Sequence, residues 1–95
     1  MGNLVARHFN ESVDTKRKQI LRNVKTYLLE IYNTSSNTLY ISFDGTNWHT
    51  IGAGGNRKYR AFANKPIHLD RFYVKGSAAG TTFEIVYFEE GEDDG

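Results

Sequence analysis

From residue 38 onward the chain is written as short runs of alternating side chains separated by turn signals, and that pattern leaves few folds open. Leu39, Ile41 and Phe43 point one way and Thr38, Tyr40 and Ser42 the other, the period of two of a half-buried strand. Asp44-Gly45 supplies a positive φ for a tight turn, and Trp48 to Ile51 return as the partner strand. Gly52-Ala53-Gly54-Gly55-Asn56 reverses the chain again. It reads as a hairpin loop, because Arg57-Lys58-Tyr59-Arg60 continue as strand rather than as the helix N-terminus that a phosphate cradle needs. Arg57 to Phe62 carry enough charge to suit a sheet edge or a solvent face. Asn64-Lys65-Pro66 interrupts pairing; then Ile67 and Leu69 alternate with His68, and Phe72 and Val74 with Tyr73 and Lys75. Beyond the loop Gly76-Ser77-Ala78-Ala79-Gly80, Phe83, Ile85 and Tyr87 form a last strand with Glu84 outside. Val86 and Phe88 imply that its far end is covered on both faces.

The first third is less regular. Residues 19–33 admit two readings. Ile20, Val24, Tyr27, Leu28 and Ile31 fall on one face of a helix, whereas Tyr27, Leu29 and Ile31 alternate ahead of the loop Asn33-Thr34-Ser35-Ser36-Asn37. The β-branched and aromatic residues and the lack of a capping glycine favour two strands. Residues 1–18 show no sustained period and are expected to be an arm or linker, with Leu4, Val5 and Phe9 as docking points on a neighbour. Residues 89–95 carry five acidic side chains and no apolar one, which predicts a solvated tail. The remaining residues, 1–88, then hold a net charge of +6.

The expectation is an all-β domain over residues 19–88: a small antiparallel β-sandwich or jelly-roll-like barrel of about seven or eight strands, preceded by the arm. Its predicted core is Leu29, Ile31, Leu39, Ile41, Phe43, Trp48, Ile67, Phe72, Val74, Phe83 and Ile85. With 95 residues and no cysteine, only this core and partner subunits hold the fold, so a homo-oligomer would add stability by mass action. No apolar run approaches the length of a membrane span and no export signal is visible, which predicts a soluble protein without membrane contact.

Little in the chain suggests catalysis. His8, His49 and His68 are far apart and lack metal-ligand spacing, so neither a metal nor another cofactor is expected. There is no nucleophile motif, and Asp44 and Glu84 are better explained by a turn and a solvent face than as paired acids. Arg57-Lys58-Tyr59-Arg60-Ala61-Phe62 is the best nucleic-acid candidate, but the modest charge argues instead for a solvated edge strand or a protein-contact patch on Arg57, Tyr59 and Arg60. Ser42-Phe43-Asp44-Gly45-Thr46-Asn47-Trp48 resembles the aspartate-box hairpin of sialidases, one residue short between Asp and Gly. That resemblance gives Asp44, Gly45 and Trp48 structural roles; the functional alternative is Trp48, with Tyr40 and Tyr73, as the platform of a carbohydrate-binding module.

Residues 26–88 as a whole resemble a small β domain of tailed-bacteriophage virions. The residues that carry this are Tyr27-Leu28-Leu29-Glu30-Ile31-Tyr32-Asn33-Thr34-Ser35 followed by Leu39-Tyr40-Ile41-Ser42-Phe43-Asp44-Gly45. Ala53-Gly54, Phe72-Tyr73-Val74-Lys75-Gly76 and Gly80-Thr81-Thr82-Phe83-Glu84-Ile85 match the later part of the pattern. The resemblance implies a non-enzymatic virion building block, a capsid decoration protein or a head, tail or fibre-base component. Such a protein is assembled in the host cytoplasm and contacts major capsid or head–tail proteins.

Overall fold

The alternating runs all become strands, and so do the two segments whose pattern was obscure. The computed structural model describes residues 4–61 and 65–90, and within them the side chains of all but residues 4–7, 9, 70, 89 and 90. Its strands are β1 (Leu4–Val13), β2 (Lys18–Thr26), β3 (Leu28–Asn33), β4 (Leu39–Ser42), β5 (His49–Ile51), β6 (Asn56–Arg60), β7 (Ile67–Gly76) and β8 (Thr81–Glu90). They pair antiparallel as β1 with β8, β2 with β7, β3 with β6 and β4 with β5, so the chain is one long hairpin coiled on itself. Pairing of β8 with β3 and of β7 with β4 closes two four-stranded sheets, in the orders β1-β8-β3-β6 and β2-β7-β4-β5. This is the jelly-roll arrangement, two Greek keys facing each other across a shared core.

The expected N-terminal arm is corrected. Residues 4–13 form β1, which pairs along its full length with β8, placing Leu4 opposite Glu90, Val5 opposite Glu89 and Phe9 opposite Ile85. Edge position explains why its pattern was faint: of its inward residues Val13 is buried, but Glu11 is charged and lies 3.4 Å from Lys18 Nζ on β2. The sandwich thus begins before residue 19, and β8 continues to Glu90, into the segment expected as a tail. Residues 91–95 of that tail lie outside the described residues.

Residues 19–33 are two strands, and the first departs from strict alternation at two places, a register shift between Gln19 and Leu21 and a turn at Asn23. Asn23 has φ +54°, the left-handed region that Asn tolerates better than most residues. The turn it makes resets the alternation, so Leu21 and Val24, three apart, both face the core. Their register partners on β7, Phe72 and Leu69, repeat the offset. Asn23→Gly is expected to leave stability nearly unchanged. Asn23→Val should cost about 1–2 kcal/mol through strain in the left-handed region, read from the midpoint of urea unfolding.

The core holds Leu29, Ile31, Leu39, Ile41, Phe72, Val74, Phe83 and Ile85, all expected, together with Val13, Leu21, Ile51 and Leu69. Phe43 and Ile67 pack against it from partly buried positions. Trp48 is a correction: it is half-exposed on the loop between β4 and β5 and is not part of the core. The chain crosses between sheets through Thr26, whose buried hydroxyl lies 2.7 Å from Phe88 O and 2.8 Å from Leu28 O while Tyr27 N donates to Phe88 O.

Candidate functional site

Among the described residues strand β6 pairs only with β3, which leaves its other edge without a strand partner there, as its charge predicted. Arg57, Tyr59 and Arg60 all lie on it but do different things. Arg57 Nη2 and Nε donate to Thr50 O on β5 at 3.2 and 3.3 Å, stitching the outer strand of one sheet to that of the other. Tyr59 and Arg60, with Lys58, line a cleft of about 710 Å³ whose remaining described walls are Phe43, Ile67 and His68. Tyr59 packs edge-on to Phe43 with ring centroids 5.2 Å apart, and Phe43 in turn rests on Phe72 at 5.4 Å. The floor is therefore an outward extension of the core, and Lys58, Arg60 and His68 form a basic rim around it. The Tyr59 hydroxyl is buried without a hydrogen-bond partner among the described residues, a polar group that a docked partner can satisfy.

Sequence reasoning found Tyr59 and Arg60 but missed Phe43, Ile67 and His68 as their neighbours. These come from the end of β4 and the start of β7 and meet β6 only after both sheets have closed. Phe62, the last residue of the charged segment, lies outside the described residues. Leu4, Val5 and Phe9 are on β1 and Tyr59 and Arg60 on β6, the two opposite edges of one sheet, so the fold does not join them into one surface.

The Ser42–Trp48 loop shows why Asp44 and Gly45 are there. Asp44 Oδ1 accepts from Thr46 N (2.7 Å), Asn47 N (2.8 Å) and Ser42 Oγ (2.9 Å), and Oδ2 accepts from Asn47 Nδ2 (2.7 Å). Gly45, at φ +82°, donates its N–H to Ser42 Oγ. The Asn47 backbone N–H, then that of Thr46, then the Asn47 amide and the Ser42 hydroxyl hold the Asp44 carboxyl well below the usual carboxylate range. A lowered folded-state pKa means that the loop's contribution is full above the unfolded value of about 3.9 and is lost as pH falls below it. In an NMR titration the Thr46 and Asn47 amide shifts should stay flat from neutral pH to about 4 and move only in stronger acid. A midpoint in the ordinary carboxylate range would contradict the bonding.

The aromatic residues of the carbohydrate alternative lie on the other sheet. Tyr40 on β4 is the register partner of Lys75 on β7, whose Nζ sits 5.7 Å from the Tyr40 ring centroid and 4.2 Å from that of Trp48. Tyr73 is faced by the Arg17 guanidinium at 5.1 Å. These rings are engaged by cations of the same chain. His8, His49 and His68 stand exposed on β1, β5 and β7, and no group of three His, Asp or Glu among the described residues could hold a metal ion.

No protein-family model matches the chain, and no curated protein matches it either. Solved structures do. A de novo designed double-stranded β-helix is 14% identical with a TM-score of 0.55, covering 87% of this chain and 99% of its own. A subunit of Bacillus endospore appendages, described as a family of disulfide-linked pili, is 12% identical with a TM-score of 0.56, over 97% of this chain and 92% of its own. The Cupin_2 domain of an XRE family transcriptional regulator from Enterobacter cloacae is 15% identical with a TM-score of 0.56, over 94% and 98%. At such identities the likeness speaks to the fold.

Proposed function

We propose that this chain is a non-enzymatic structural subunit of tailed-bacteriophage virions, a capsid decoration or head–tail component that assembles through protein–protein contacts. The observation that carries the proposal is the cleft beside the free edge of β6. It joins an apolar floor of Phe43, Tyr59 and Ile67 to an unpaired strand, the combination that strand addition by a partner uses. The space between the sheets gives support, being filled by Phe72, Phe83 and aliphatic side chains. Asn33, Asp44 and Gly45, which belong to the virion resemblance, build loops here. A jelly roll of this size also occurs in the endospore pili. Having no cysteine, this chain would assemble without disulfide links. The carbohydrate-module alternative gains less, because Lys75 and Arg17 already cover the rings it would use.

Incorporation into particles tests the proposal. Deleting β1 would remove a paired strand, so the variants belong in the cleft: Tyr59→Glu and Arg60→Glu are expected to lower incorporation tenfold or more without loss of fold. Undiminished incorporation of both, or saturable glycan binding lost in Trp48→Ala, would overturn it.

A further inference from the structure

The outer face of the sheet β2-β7-β4-β5 concentrates positive charge. Arg22, Lys25, Arg71 and Lys75 lie on its two longest strands, and Arg17 reaches over it to Tyr73 while donating to Gly45 O. At its centre Arg22 and Arg71 are direct register partners, both exposed, and neither has an ion-pair partner among the described residues. Like charges directly opposite each other destabilise an antiparallel pair. With Gln19, Asn23 and Tyr73 they line a polar recess of about 510 Å³. Two guanidinium forks beside a phenol and two amides suit a carboxylate-rich ligand.

The chain itself carries such a ligand in Glu89, Glu90, Glu92, Asp93 and Asp94. Its own copy would reach the recess only with backbone and both side chains at full extension. Thr26 is the register partner of Ile67 and bonds Phe88 O, so the start of β7 and the end of β8 lie level. Arg71 stands four residues up β7 from that level and Glu90 two residues below it, an axial separation of about 20 Å, with a further ~10 Å between sheets. Asp94, four residues past Glu90, reaches at most about 14 Å.

We propose that the Arg22–Arg71 recess receives the acidic run at residues 89–95 of a second copy of this chain, joining copies head to tail. This deepens the reading of the chain as an assembling subunit and rests on it. A heterologous contact of this kind generates rings or filaments. The cations are partly pre-positioned for it, Lys75 by Trp48 and Tyr40 and Arg17 by Tyr73, which lowers the cost of ordering them.

Sedimentation equilibrium of the full chain at low salt and at about 0.5 M salt tests the contact. The expected result is self-association that weakens in salt. Arg22→Glu with Arg71→Glu should weaken it at least tenfold, and Glu92→Lys with Asp93→Lys and Asp94→Lys should do the same. Both sets combined in one chain should restore it. All the changes at Arg22 and Arg71 are on exposed side chains, and Arg71→Gln alone should hold or raise the thermal midpoint by relieving the like-charge pair. A monomer at low salt, association indifferent to either set, or failure of the combined variant to recover would overturn the proposal. So would capture of a single-stranded polynucleotide that depends on Arg22 and Arg71. Recess variants that still enter particles normally would overturn this contact while leaving the structural role standing; no entry of the parent chain into particles would count against that role instead.

Discussion

Replacing Asn33 by Leu is expected to destabilise the protein by about 3 kcal/mol, although the two side chains share the same number and branching of heavy atoms. Asn33 is only 2% exposed, and it ties the β3–β4 loop to the β5–β6 turn. Its amide donates to Asn37 O (2.7 Å), Ile51 O (3.0 Å) and Gly52 O (3.1 Å), while Oδ1 accepts from Ser35 N (3.0 Å) and Ser35 Oγ (2.7 Å). A leucine keeps the branching but is bulkier, and it leaves those groups without partners, each a penalty of about 1–3 kcal/mol where water cannot replace the bond. Urea unfolding reads the loss. Hydrogen exchange locates it, since the Ser35 and Gly55 amides should lose protection before those of the strand centres. A cost below about 1 kcal/mol would show that the loops are held by something else.

The same residue marks how far the sequence could be read. Ile31, Asn33 and Ser35 were visible as part of a motif, and the alternation of Leu39 with Ile41, Phe72 with Val74 and Phe83 with Ile85 gave the strands and most of the core. Those pairs sit on strands flanked on both sides or covered over their length, where the period of two is least disturbed. Reading failed where the alternation was interrupted by a cause that local pattern does not show. Leu21 and Val24 face the core three apart across Asn23, so β2 shows no clean period of two to set against the helix reading. Glu11 occupies an inward position on the edge strand β1, because Lys18 on β2 meets it there, and the first strand then looked like an arm. The cleft was half legible: Tyr59 and Arg60 stood out by charge, but their meeting with Phe43, Ile67 and His68 is a product of closure. The Arg22–Arg71 pair was not legible at all, since residues 49 positions apart become partners only through the register of β2 with β7.

Gly76→Ala should be as damaging, at about 3 kcal/mol or more. A Cβ built on Gly76 would overlap both Oγ1 and Cβ of Thr81 and stand 3.0 Å from Ala78 O. None of these can yield cheaply. Thr81 is fully buried, its hydroxyl donates to Ala78 O at 2.7 Å and accepts from Asn37 Nδ2 at 3.2 Å, and Gly76 N itself donates to Asp14 O at 2.7 Å. This is the point where β7 turns into β8 against the end of β1, so backbone must shift if the side chains do not. For a domain of this size the thermal midpoint should fall by roughly 12–24 °C. Thr81→Gly in the same chain opens the space and should recover part of the loss, a coupling that a double-mutant cycle measures. A midpoint unchanged by Gly76→Ala would mean that β7 and β8 are not packed this closely.

Both substitutions act on the scaffold; what the scaffold is for is decided by whether its outside holds other proteins. Light scattering of the purified chain, alone and mixed with phage capsid or head–tail proteins, gives that answer as a mass. A stable complex with one of them, weakened by Tyr59→Glu or Arg60→Glu, is expected. A chain that keeps its own mass in every mixture would contradict the assembly role.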